Sequence, residues 1–149
     1  MAADRGRTKD EVAEEAWHYL YRFIFEGDAQ RCFRNACEAT GLAPGVLKTL
    51  LSLQGGRPVS MGELAETFRC DPSYVTSLVD GLESEGLAER QPRPSDRRVK
   101  DVVLTDVGAE TLAQVHKVLG EPPPSMGKLS VSELRQLRDL MMKLHGVDA

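Results

Sequence analysis

The sequence predicts a mainly α fold carrying one β-hairpin, and three observations lead there. Apolar residues recur at helical spacing through most of the 149 positions. Ser/Thr-x-x-Glu boxes, which satisfy free amides at helix starts, precede three of those stretches, at residues 8–11, 60–63 and 130–133. Finally, two short runs, residues 87–91 and the valine-rich 99–104, follow Gly86 and flank a proline-containing basic segment, the pattern of two strands around a turn. With 41% apolar residues, a chain of this length supports one cored domain over residues 1–149.

Taken in order, Thr8 and Glu11 cap a first helix bearing Val12, Ala16, Tyr19, Leu20 and Phe23. Gly27-Asp28 interrupts it, and a second helix runs towards Thr40-Gly41. Pro44 suits the first turn of a third, which carries Val46, Leu47, Leu50, Leu51 and Leu53 and ends at Gly55-Gly56-Arg57-Pro58. Ser60 and Glu63 open a short helix whose Met61, Leu64, Ala65 and Phe68 lie on one face. After only a few residues, Asp71 as N-cap and Pro72 start another, with Val75, Leu78, Val79 and Leu82 as its core face. Gly86 closes it, and residues 87–91 and 99–104 are expected to pair as strands around the tip PRPSDRR. Thr105-Asp106 caps a helix with Leu112, Val115, Val118 and Leu119, which Gly120 and the prolines behind it stop. The last helix starts at Ser130 and carries Val131, Leu134, Leu137, Leu140, Met141 and Leu144 on one stripe.

Two short helices joined tightly and followed by a hairpin with a basic tip form the winged helix-turn-helix pattern, whose second helix enters the DNA major groove. Opposite the core face of that helix, a step of 100° per residue places Ser73, Ser77, Asp80 and Ser84, with Tyr74 and Thr76 on the flanks. Small hydroxylated side chains near a helix N-terminus can approach phosphates and base edges. The net charge of −4 does not favour nucleic acid, yet Arg90, Arg93, Arg97, Arg98 and Lys100 against Glu89 and Asp96 leave a local surplus of +3 over residues 87–100. Candidate DNA contacts are therefore Arg69, Ser73, Tyr74, Thr76 and Ser77 around the helix start, and Arg93, Asp96, Arg97 and Arg98 in the wing.

From Ser60 to Gly108 the chain resembles the multiple-antibiotic-resistance regulators, the MarR family. The resemblance rests on the opening S-x-V-T (Ser73 to Thr76), on V-D-x-L-E-x-x-G-L (Val79 to Leu87), on D-R-R (Asp96 to Arg98) and on L-T-x-x-G (Leu104 to Gly108). It implies a sequence-specific DNA-binding transcriptional regulator, expected to be a repressor, acting as a homodimer on a palindromic double-stranded operator. It also implies dimerisation helices at residues 8–40 and 106–149 around a winged helix-turn-helix at 44–105, and a small aromatic ligand that loosens DNA binding. Within the family the wing aspartate orients an arginine that enters the minor groove, which implies that Asp96 braces the guanidinium of Arg98. Many members place an arginine after the recognition-helix threonine, where this chain has Ser77. Trp17, Tyr21 and Phe25, in a chain only 5% aromatic, are candidate walls for the ligand, or else core or dimer interface.

Other chemistries find little material. His18, His116 and His145 lie far apart, and neither a glycine-rich phosphate loop nor HExxH is present, so no enzyme, cofactor or metal site is expected. Cys32, Cys37 and Cys70 lack CxxC spacing; structural thiols are favoured, with a thiol-based redox sensor as an alternative and Cys70 the one to watch. A winged-helix protein-protein adaptor is the other alternative, and it predicts no salt-dependent DNA affinity. The polar N-terminus and the lack of any run near the roughly 20 apolar residues of a membrane helix predict a cytoplasmic protein without membrane contact.

Overall fold

A computed structural model describes residues 6–146, so the ends of the expected 1–149 domain, residues 1–5 and 147–149, lie outside it. The elements are α1 (Lys9–Phe25), α2 (Ala29–Thr40), α3 (Pro44–Ser52), β1 (Val59–Ser60), α4 (Met61–Phe68), α5 (Pro72–Ser84), β2 (Ala88–Arg93), β3 (Asp96–Leu104), α6 (Asp106–Leu119), a 3₁₀ turn (Pro124–Lys128) and α7 (Val131–His145). Two compact units result: one runs from Arg34 to Gly120, and the other joins the described residues up to Phe33 with those from Glu121 onward.

The central unit holds the core. Leu47, Leu50, Leu64, Val75, Val79, Leu82, Val102 and Val115 are fully buried, each worth about 2 kcal/mol of apolar transfer. Helices α3 and α5 approach closely because two glycines leave room. A Cβ on Gly45 would come within 2.8 Å of Leu78 Cδ2, and one on Gly81 within 2.8 Å of Val46 Cγ2. Buried Thr49 keeps its hydrogen bonding, since its hydroxyl donates to the Gly45 carbonyl at 2.9 Å.

The sheet has the order β1-β3-β2 and is antiparallel throughout, with Val59 opposite Val102 and Arg90 also opposite Val102 on the other side. β1 has only two residues and was not expected, because its partner lies more than 40 positions downstream. The hairpin is longer than the sequence suggested. Its strands take in most of the PRPSDRR segment, leaving only Pro94-Ser95 as the turn. Pro92 is tolerated within β2 because β2 is an edge strand, and a register shift follows it.

In the other unit the expected caps form. Thr8 and Ser130 each complete a capping box, with Glu11 and Glu133 respectively. Ser125, in the 3₁₀ turn, donates both its amide and its hydroxyl to the Asp28 carboxylate at 2.7 Å, which lowers the acid's pKa. Neither α1 nor α7 buries a single residue. Val12, Trp17, Tyr19, Ile24, Phe25, Val131, Leu140 and Leu144 all stand exposed.

Candidate nucleic-acid interface

Three pieces of local chemistry place the second helix of the pair. Ser60 and Glu63 form the expected box at the start of α4, with Ser60 Oγ accepting the Glu63 amide at 3.1 Å and Glu63 accepting the Ser60 amide at 2.7 Å. That amide, reinforced by Arg57, lowers the Glu63 carboxyl to about 2. Helix α4 stops at Arg69, which adopts a left-handed conformation (φ 48°) as the C-cap, and its amide still reaches the last turn at Glu66 O. Asp71 then takes the N-cap position of α5 in extended geometry, although its carboxylate makes no capping bond; Pro72 at the first helical position compensates by removing one free amide.

The buried face of α5 is Val75, Leu78, Val79 and Leu82, as the spacing predicted. Ser73, Tyr74, Thr76 and Ser77 are consequently exposed, together with Arg69 at the turn. The hydroxyls of Thr76 and Ser77 turn back on their own helix, donating to Pro72 O at 3.0 Å and Ser73 O at 3.3 Å. In that rotamer each presents lone pairs outward, so these positions offer acceptors, suited to amino groups on cytosine or adenine edges.

The wing divides its five cations into two groups. Arg90 binds Asp80 at 2.7 Å and also pairs with Glu83, both on α5. Arg93, expected among the DNA contacts, instead grips Asp101 with two parallel bonds, Nε to Oδ2 at 3.0 Å and an NH2 to Oδ1 at 2.7 Å. The bidentate pair pulls the Asp101 carboxyl below its ordinary range and pushes the guanidinium higher. Arg97, Arg98 and Lys100 are exposed and have no ion-pair partner among the described residues. Asp96 does reach Arg98, but through the main chain: its carboxylate accepts the Arg98 amide at 3.0 Å, fixing the turn rather than holding the guanidinium.

Sequence reasoning missed the Arg90 and Arg93 pairings because it balanced the wing's cations only against Glu89 and Asp96 within residues 87–100, whereas the partners Asp80, Glu83 and Asp101 lie outside that stretch. The available signal was Asp80 and Glu83 three apart on one helix face, facing a strand that begins just past Gly86. The base of the wing is anchored at α6, where Thr105 donates its amide to Leu87 O at 3.1 Å and its hydroxyl to Gly86 O at 2.7 Å.

The ligand candidates Trp17, Tyr21 and Phe25 line one face of α1 and are 61%, 45% and 54% exposed, so they are not core of the described chain. The Tyr21 and Phe25 rings touch, with centroids 4.9 Å apart. All three cysteines are free and half-buried. Cys32 donates to Glu121 O at 3.8 Å, and burial pushes the Cys37 thiol up, away from the thiolate. No helix among the described residues is long and apolar enough to cross a membrane.

Against known proteins, residues 44–100 match the MarR family. Over 71 residues the chain is 39% identical to the HTH-type transcriptional repressor MdtR of Bacillus subtilis, a match spanning 48% of this chain and just under half, 46%, of that protein. Over 144 residues it is 28% identical to the HTH-type transcriptional repressor NicR of Pseudomonas putida, covering 96% of this chain and 90% of NicR. The crystal structure of the reduced form of MarR from E. coli superposes with a TM-score of 0.70 at 25% identity, over 85% of this chain and 94% of that one. The chain is thus similar to MarR-family regulators, in sequence over residues 44–100 and in fold over most of its length.

Proposed function

We propose that this chain is a DNA-binding transcriptional regulator, acting as a homodimeric repressor on a palindromic operator. The observation that carries the reading is the surface shared by one helix start and one wing. Ser73, Tyr74, Thr76 and Ser77 stand exposed on α5, and beyond them Arg97, Arg98 and Lys100 carry charge that no acid among the described residues neutralises. Residues 44–105 serve as the DNA-binding region, α5 in the major groove and the wing along the adjacent backbone and minor groove. The repressor names of MdtR and NicR support the direction of control.

The dimer is assigned to the helices within residues 8–40 and 106–149. What supports it is that α1 and α7 bury no residue of their own while exposing Trp17, Phe25, Leu140 and Leu144. A monomer rarely leaves such stripes in water. The same exposure favours an interface role for Trp17, Tyr21 and Phe25 over that of effector walls. A redox-sensing role gains no support from a Cys37 thiol raised by burial.

Selection of duplexes from a random-sequence pool tests the reading. Enrichment of an inverted repeat, with affinity falling steeply as salt rises, is the expected result. Failure to enrich any sequence, with binding insensitive to salt, would favour the protein-protein adaptor.

A further inference from the structure

Two of the wing's five cations are paired with acids of the same chain, and one of them is tied to the recognition helix itself. Arg90 lies on the edge strand β2, opposite Val102, and its side chain crosses to α5. There it meets Thr76, Asp80 and Glu83, which recur at i, i+4 and i+7 and so share one helix face. One guanidinium nitrogen donates to Asp80 Oδ1 at 2.7 Å and to the Thr76 carbonyl at 3.1 Å; the other pairs with Glu83. The second Glu83 oxygen accepts the Arg90 backbone amide at 2.8 Å, so the carboxylate holds both ends of the same residue. The Arg90 side chain is only 22% exposed, less than either acid.

We propose that Arg90 is a positioning residue for DNA binding, locking the wing to the recognition helix and masking Asp80 and Glu83 without itself meeting phosphate. The inference rests on the DNA-binding reading above and names a device within it. A planar guanidinium held by two carboxylates and a carbonyl has a fixed orientation, which a lysine could not reproduce. Rotation of β2 relative to α5 would break several of these bonds together. Groove contacts by Thr76 and Ser77 and backbone contacts by Arg97 and Arg98 are then made in one register. Two acids on a helix that approaches a polyanion would otherwise repel it.

The clamp can be opened from the acid side with the double variant Asp80→Asn, Glu83→Gln in the full chain. It makes the region more positive and liberates Arg90, so simple electrostatics predicts tighter binding to any duplex. The proposal predicts the reverse for a specific site. Affinity for a fluorescein-labelled duplex selected by the wild-type protein should fall roughly tenfold, while affinity for a shuffled duplex of the same composition holds or rises. Arg90→Gln should lose selectivity likewise, and Arg90→Lys should not restore it. Tighter binding of the double variant to both duplexes would overturn the proposal, since the acids would then only repel. An equal fractional loss on both, tracking a lower folded fraction in a melt, would overturn it too, because a purely structural role lowers both affinities together. A wild-type protein with no preference for any duplex would instead refute the DNA-binding reading on which the inference rests.

Discussion

Replacing Leu140 and Leu144 together by alanine should break the proposed dimer and leave the protomer folded. The two leucines lie one turn apart on α7 and are 61% and 75% exposed, so neither contributes appreciably to the protomer's own core. Full burial of a leucine side chain is worth about 2 kcal/mol; scaled by these exposures, and allowing for the Cβ that alanine keeps, each loses about 1 kcal/mol of interface energy. Two leucines per protomer, doubled by two-fold symmetry, amount to about 4 kcal/mol, or about a thousandfold in the dimer dissociation constant. Alanine is the best helix former, so α7 itself is not weakened. Sedimentation velocity across a concentration series should show the variant dissociating where the wild type does not, with unchanged helical circular dichroism at concentrations where it is monomeric. A variant that dimerises as tightly as the wild type would refute the reasoning and move the interface away from this face.

Two further perturbations test the architecture around the wing. Gly108→Ala should destabilise severely, because a Cβ there would lie 1.9 Å from the Leu87 carbonyl oxygen and neither backbone can easily yield; a melting temperature within a degree or so of wild type would contradict the packing at the wing base. Asp101→Asn removes the bidentate partner of Arg93. Since the folded carboxyl lies below its ordinary range, its contribution is complete above the ordinary carboxylate pKa and is lost as pH falls through the lowered value. The wild-type protein should therefore melt higher than the variant near neutral pH, and the two should converge as pH falls through the lowered carboxyl value. A difference that persists undiminished in acid would show that the pair contributes nothing to the wing.

What could be read from the sequence was local. The boxes at Thr8, Ser60 and Ser130 each close within four residues, and the core face of α5 follows from a single helical period, so these elements appear where they were expected. Contacts made across the chain were not legible. β1 exists only because Val59 meets Val102, and the extension of the hairpin through Arg93 and Asp96 depends on pairing that propensity alone does not reveal in a proline-containing segment. The same limit governs the site. A count of charges located the basic wing, but only the fold shows that Arg90 and Arg93 are held by Asp80, Glu83 and Asp101, which leaves Arg97, Arg98 and Lys100 to act outward. The Asp96 brace was identified as a pair of residues and differs in its chemistry, because the short aspartate side chain reaches the amide two residues on.

The central claim is that this chain grips duplex DNA through the recognition helix together with the free cations of the wing. Its most direct test is a fluorescence-anisotropy titration of a selected duplex at several salt concentrations, with wild-type protein and Arg98→Ala. The dimer should persist in both proteins. Arg98→Ala should weaken binding by about 1–3 kcal/mol per bound arm and flatten the log-log salt slope by about one unit for each phosphate no longer neutralised. A wild-type slope and affinity in the Arg98→Ala protein would contradict the part given to this arginine, and a wild-type affinity indifferent to salt would contradict the account as a whole.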